Sequence, residues 1–476
     1  MKHIFIVVIL WAGWSQAAII TVNKTSDNLN NNDGGCDIRE AVTAANTNQS
    51  VDGCLAGNDI DIILLNVNAP IQLSSQIEVT SSMAIRAPFG FTEPAHIKAA
   101  SNHRVFEVFP IQGNNHVFEF VGLLMTDGDA NDTPGGAIYI HNNQINGLIS
   151  EVFISECSFR QNQALNGGAL AMINTQTNSK ITVRDNQFDY NQATDNGGSL
   201  YIDNGSANQL TLLNNNFNHN SAVGSGGGAL IADSGINDFT LNNNQFNHNI
   251  SSQNGGGLAI YATSAVQRYI MDRNAFIGNS ASDNGGALYA ALDAQAWLYN
   301  SVMSNNFADK GGAISTVNAW LYLYHSTLTH NYANSGANIY GYSGTLGSMG
   351  ASVLAYPQGA LNCGGAASSL NSARTIIDDS SCPFNITSDL REDPLLAGLS
   401  FNNNGFPALQ PTSDSSAIDR VPISACIFYD GEPLDSDQQG NQRPVDGDGD
   451  NTATCDIGAI EAPLNHDLIW SDTFGG

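Results

Sequence analysis

Three groups of residues in this chain have types and spacings that could do chemistry. The run Asp446-Gly447-Asp448-Gly449-Asp450 sets carboxylates at alternate positions, the pattern that supplies oxygen ligands at positions 1, 3 and 5 of a calcium loop. Asn451 stands where such a loop needs Gly, and Ile457 where it needs a bidentate Glu. A complete EF-hand is therefore excluded; a partial calcium site on Asp446, Asp448 and Asp450 is the candidate, with a plain acidic turn the ordinary reading. Arg268 and Arg273, near Asp272 and Asp283, are the best-gathered basic and acidic residues of the middle of the chain. A polysaccharide lyase needs such a base to remove a proton beside a substrate carboxylate; solvated surface charge is the ordinary alternative. His219 and His248 share one register of a repeat. Paired imidazoles can hold a metal, but a polar stacking column is the stronger expectation, since Gln161, Tyr190, Gly278 and Ser304 fall in the same register. A glycoside hydrolase needs two carboxylates flanking the bond; Asp378-Asp379 lies where the repeat has dissolved.

Seven cysteines form three local pairs and a singlet. Short loops at the two chain ends are where staples help most, so Cys36–Cys54, Cys363–Cys382 and Cys426–Cys455 are the expected disulfides. Cys157 is expected to be a small buried thiol.

The elements that position these groups follow from an internal repeat. Glycine pairs recur at Gly135-Gly136, Gly167-Gly168, Gly197-Gly198, Gly227-Gly228, Gly255-Gly256, Gly285-Gly286 and Gly311-Gly312, each followed by a small residue and then Leu or Ile. Before each pair comes Phe-x-x-Asn: Phe159 to Asn162, Phe188 to Asn191, Phe217 to Asn220, Phe246 to Asn249 and Phe276 to Asn279. Val302 to Asn305 and Leu328 to Asn331 continue it in weaker form. Two residues ahead of the Phe is a polar column, Asn186, Asn215, Asn244, Asn274 and Asn300; five ahead is an apolar one that includes Met271, Trp297 and Leu323. No stretch of the repeat carries helical periodicity, and short apolar pieces between Gly/Asn turns describe strands. The period is that of a solenoid, read as an all-β, right-handed parallel β-helix of the pectate-lyase-like kind. Its coils should stack about 4.8 Å apart, with like side chains over like.

The expected organisation is a signal peptide at 1–17, an N-terminal cap at 18–58, the β-helix at 59–341 with glycine-pair repeats from 124, an irregular Gly/Ser-rich segment at 342–388, and a C-terminal cap at 389–476. A helix over 37–46 should cover the first coil. The chain has 16 Lys+Arg against 44 Asp+Glu, a net charge of −28. That balance excludes a nucleic-acid partner, which needs clustered cations, and disfavours anionic polysaccharides unless metal ions intervene. No segment is long and apolar enough to span a bilayer.

The hexapeptide Cys36-Asp37-Ile38-Arg39-Glu40-Ala41, with Ile20-Thr21-Val22-Asn23 before it and Ala44-Ala45-Asn46 after, resembles the CSLREA domain of exported bacterial β-helix proteins. The Phe-x-x-Asn and Gly-Gly-Ala-Ile/Leu repeats are similar to those of polymorphic outer membrane proteins, which are autotransporter adhesins. The tail, Asp437 to Gly440, Arg443-Pro444 and Cys455 to Glu461, resembles the choice-of-anchor Q ending of such proteins. These resemblances imply export or surface display and no particular reaction. The expected function is thus a secreted or cell-surface adhesion or structural protein, monomeric, with a glycan or surface-protein ligand and no required cofactor. A pectate-lyase-like lyase or glycoside hydrolase is the alternative.

Overall fold

The computed structural model describes residues 17–463, apart from 30–31, 59, 91–92, 112, 143–146, 174–178, 205–208, 234–237, 263–266, 345 and 403–404. The signal peptide at 1–17 thus lies outside the described residues save for Ala17, as does the end of the tail beyond 463.

Each coil is built from the repeat in a fixed order. A strand on one long sheet, here called the front, bends into a short back strand, then a corner bridge, then the glycine turn, then a flank strand. Among the described residues the front sheet holds 13 parallel strands, the flank sheet 11 and the back sheet 12. Sequence period becomes register: Phe159 pairs with Phe188, then Phe217, Phe246 and Phe276, and their rings stack at 4.6–4.8 Å.

Two bends per coil obey one rule. A residue at positive φ precedes a buried amide or hydroxyl: Asp185 before Asn186, Asn214 before Asn215, and after the back strand His219 before Asn220, His248 before Asn249. Each Asn side chain satisfies backbone groups that a bend would strand. Asn220 Oδ1 accepts from the Asn191 N–H at 2.9 Å, while its Nδ2 donates to Phe188 O at 2.8 Å and to Asn249 Oδ1 at 3.0 Å. Cys157 opens the other ladder: its N–H donates to Asn186 Oδ1 at 2.9 Å and its thiol to Ser155 O at 3.2 Å.

Register departs from the sequence reading in two coils. Phe276 pairs with Met303, not Val302, and Met271 with Leu298, not Trp297. Ser301 and Asn306 therefore take the ladder places expected for Asn300 and Asn305, and Asn305, not Ser304, joins the positive-φ column of His219 and His248. Coil lengths vary between glycine turns, so spacing counted from one turn misplaces the next back strand by a residue, which reverses every side chain. Likewise Leu200 pairs with Ala229: with three glycines in a row, the turn begins at Gly226, and Leu230 faces outward.

The coils extend beyond the expected limits. Strand Ala18–Val22 pairs with Asp61–Leu65 and so belongs to the front sheet. The segment expected to be irregular, 342–388, carries strands Leu346–Gly350, Val353–Ala355, Cys363–Gly365, Asn371–Ala373 and Ile376–Ile377, all in the long sheets. Stacking on the coil beneath supplies the strand template that the missing glycine pair concealed.

Helix Ile38–Thr47 covers the first coil, burying Ile38, Ala41, Val42, Ala44 and Ala45. Asp37 and Glu40 form a reciprocal capping box. Arg39 ties the helix to the coil through Asp27 at 2.8 Å and the carbonyls of Ser75 and Gln76. Polar residues of the hexapeptide thus serve structure. Disulfides join Cys36 to Cys54, Cys363 to Cys382 and Cys426 to Cys455.

The C-terminal tail folds back along the helix. Leu409 packs on Ala275, Ile277 and Val302 of the back sheet, and Ala417, Val421, Cys455 and Ile457 pack on Val353, Ala355 and Ile376. Outward back-strand residues are polar in the regular coils, such as Gln187, Asp189, Asn216 and Asn218, whereas Ala275, Ile277 and Val302 are apolar where the tail lies.

Candidate functional site

The corrected register exposes a feature of the front sheet. In Ala294–Tyr299 the alternation turns Ala296 and Leu298 inward. Trp297 and Tyr299 therefore point away from the coil interior, Trp297 half-buried and Tyr299 buried under the tail. The next strand, Trp320–Tyr324, buries Leu321 and Leu323 and sets Trp320, Tyr322 and Tyr324 outward. Trp297 pairs with Tyr322 and Tyr299 with Tyr324. The first pair stacks at 3.7 Å between ring centroids, tilted by 13°, and the second at 5.7 Å. Five aromatic side chains thus cover two neighbouring strands.

The tail supplies one wall. Phe428 meets Tyr299 edge-on at 4.9 Å, and Tyr429 lies 5.3 Å from Trp297. Between wall and sheet runs a groove of about 450 Å³, within the size range of small-ligand sites. Ser348, Asn371 and Ser372 add polar groups to its lining. The Trp297 indole N–H is buried without a hydrogen-bond partner among the described residues. Trp320 and Tyr429 remain 36% and 40% exposed.

A larger cleft of about 600 Å³ lies elsewhere, lined by Arg86, Phe89, Glu93, Glu156, Arg160 and Asp185 among others. Its cations are already engaged, Arg86 with Glu119 at 3.6 Å and Arg160 with Asp189 at 3.3 Å. The aromatic groove has the better-formed recognition surface.

The residues singled out for lyase chemistry do not converge. Arg268 is on a front strand, with its guanidinium 5.1 Å from the Tyr429 ring centre. Arg273 sits in the following bend and pairs with Asp272 at 3.0 Å. Asp272 also accepts from Asn300 Nδ2 at 3.0 Å, and burial raises its pKa against the pull of Arg273. Asp283 is on another side of the coil, in the turn leading to flank strand Leu288–Ala291, where its backbone N–H bonds Gln253 O. Asp378 and Asp379 accept from Tyr356 N, Asn362 N and Asn362 Nδ2, bracing the last coils. A histidine–carboxylate contact that the sequence reading overlooked, His141 Nε2 to Glu107 Oε1 at 3.0 Å, is closed by Arg104 and Gln76 on the same carboxylate.

His219 and His248 stack at 5.1 Å, with Tyr190 at 5.0 Å from His219. Burial and the His219 charge both lower the His248 pKa.

The acidic loop gathers a different trio from the one expected. Carboxylates of Asp419, Asp446 and Asp448 have oxygens within 4.8 Å of one another, while Asp450 Oδ1 turns to the Thr452 N–H at 2.7 Å. Asp419 accepts from the N–H groups of Gly447, Asp448 and Thr454, and Asp446 from Gly449 and Asn451. These carboxylates organise the loop through its own backbone.

Among known families, one repeat is recognised. Residues 275–291 match the Chlamydia polymorphic membrane protein repeat. That stretch contains back strand Ala275–Ile277, the glycine turn and flank strand Leu288–Ala291, so the match falls on one coil. No curated protein and no solved structure matches the chain. Among the described residues no helix is long and apolar enough to cross a membrane.

The aromatic site was readable in Trp320-Leu321-Tyr322-Leu323-Tyr324, whose strict alternation marks an outward aromatic column. Assigning Trp297 to the interior hid it.

Proposed function

We propose that this chain is an exported, surface-acting β-helix protein that binds a glycan on the aromatic front face without chemically altering it. The carrying observation is the partly exposed aromatic block of Trp297, Trp320, Tyr322 and Tyr324, anchored on buried Tyr299 beside the tail wall. Globular proteins seldom leave such a surface open without a ligand. Sugars suit it because their apolar C–H surface packs on the exposed Trp320 side chain while their hydroxyls meet Ser348 and Asn371. Three disulfides and the polymorphic membrane protein repeat support action outside the reducing cytosol. The scattering of Arg268, Arg273, Asp272 and Asp283 supports binding over lyase chemistry. The reading requires no cofactor; calcium on Asp419, Asp446 and Asp448 would only brace the tail.

A glycan array probed with the labelled full chain tests this reading. Selective signals that disappear in Trp320→Ala are expected. Absence of any glycan-dependent signal from a folded protein would contradict it.

A further inference from the structure

The strongest further lead is charge at the two ends of the groove. Most cations of this acidic chain are engaged by carboxylates, but none of the ion pairs among the described residues includes Arg268 or Arg374. Both border the aromatic groove. Arg374 lines it directly. Arg268 reaches over Tyr429, a wall residue, and its charge acts on the Tyr322 phenol.

Their placement follows from the register. Arg268 lies on strand Gln267–Asp272, and Arg374 directly follows strand Asn371–Ala373. Three front strands intervene, Ala294–Tyr299, Trp320–Tyr324 and Leu346–Gly350. Four strand spacings separate the two along the axis, about 19 Å. The register sets Arg374 five residues further along the strand direction, about 17 Å, so the line between them runs diagonally over about 25 Å. That span suits several sugar rings crossing the front strands obliquely.

The floor between them is equally selective. With 44 Asp+Glu in the chain, no acidic residue lines the groove. Asp272, at its edge beside Tyr299, is neutralised by Arg273. Trp297 over Tyr322 and Tyr299 over Tyr324 are stacked strand upon strand, so Trp297, Tyr322 and Tyr324 present ring edges outward, while Tyr299 is buried against Phe428. Ring edges carry the positive end of the aromatic quadrupole and favour oxygen-rich or anionic groups.

We propose that the groove is a site for an acidic glycan, a chain of carboxylate-bearing sugars running obliquely across the front strands, with Arg374 in the groove and Arg268 beside its Tyr429 wall engaging carboxylates at opposite ends. This rests on the glycan reading above and sharpens its ligand class. It also revises the expectation drawn from net charge: global repulsion slows approach but is screened within about 8 Å at physiological salt, whereas two free guanidinium groups act at contact distance.

Calorimetric titration of the full chain with a hexuronic-acid hexasaccharide and with its neutral hexose counterpart tests the proposal. Expected is preferential uronate binding, weakened about tenfold by Arg268→Gln or Arg374→Gln, as for loss of one charge-assisted contact. These variants should weaken uronate binding more than neutral-sugar binding and so narrow the preference, whereas Trp320→Ala should weaken both sugars. Unaltered circular dichroism and melting would show that the variants are folded; should Arg268→Gln disturb the tail, Arg374→Gln alone decides. Equal affinity for the two sugars, or uronate binding indifferent to both arginines, would overturn the acidic assignment and leave the glycan reading standing. Binding of neither sugar, together with a silent glycan array, would overturn both.

Discussion

Arg443 of the C-terminal tail donates from Nη1 to Asn300 Oδ1 at 3.0 Å, a bond between residues 143 positions apart. The arginine is completely enclosed, with Nε on Glu461 Oε2 at 2.7 Å and Nη2 on Gly458 O at 3.0 Å. Asn300 in turn donates to Asp272. A buried chain of polar contacts therefore pegs the tail to the coil that carries Trp297 and Tyr299. Removing the arginine would leave Glu461 buried and uncompensated, at a cost of about 3–5 kcal/mol. Arg443→Met should release the tail, read as rapid proteolysis within 389–463 and loss of the groove wall. Arg443→Lys should not rescue it, because one ammonium cannot reproduce the fork.

Titration of the same junction should show opposed slopes. Burial, reinforced by the neighbouring Glu461 charge, raises Asp456 toward neutrality. Burial also raises Glu461. A raised carboxylate keeps its proton in the folded chain where the unfolded chain has lost it, so its contribution to stability falls as pH climbs from the ordinary carboxylate range toward neutrality. His325 behaves oppositely: burial, then the Arg443 charge, lowers it to about 3 from 6.5. Its contribution is present above 6.5 and is lost as pH falls toward 3. Denaturant midpoints measured from pH 3 to 7 should therefore rise with pH in Asp456→Asn and fall with pH in His325→Asn. Each slope is bounded by about 1.4 kcal/mol per pH unit per proton.

The amide ladder makes a prediction within a single bend. Asn249 is buried and bonds Asn220, Phe217 O and Asn279. Asn249→Ala strands several of those partners and should cost about 3 kcal/mol. His248, one residue earlier, sits at φ 54°; His248→Gly should be within about 1 kcal/mol of the parent, since glycine adopts that conformation freely. Chemical denaturation of the two variants checks the contrast.

Cys157 should be chemically silent. It is enclosed, donates to two carbonyls, and burial pushes its thiol up to about 12. Iodoacetamide should label nothing in the native protein and one thiol per chain in denaturant without reductant.

How far this architecture could be read in advance depended on where regularity lay. The Phe and Asn columns from 159 to 279 mark their register directly, because each coil there repeats the side chains that touch the next. From 297 onward Met303, Ser301 and Leu298 replace Phe, Asn and the expected Trp, and only hydrogen bonding between coils fixes which residue faces inward. The tail's path along the back sheet was written in Ala275, Ile277, Val302 and Val353, apolar at positions that are polar in earlier coils. The contacts that its Arg443 makes with Asn300, and its Asp419 with Gly447, Asp448 and Thr454, are far apart in sequence and leave no spacing to read. The aromatic groove depends on both, since one wall belongs to the tail and the floor to the shifted coil.

The most direct test of binding without chemistry follows retention and product in one incubation of the full chain with soluble polyuronate and neutral polysaccharides. The account predicts saturable retention that Trp320→Ala abolishes, with polymer length unchanged and no new reducing or unsaturated ends. Chain cleavage that scales with protein concentration and vanishes in Asp272→Asn would contradict it.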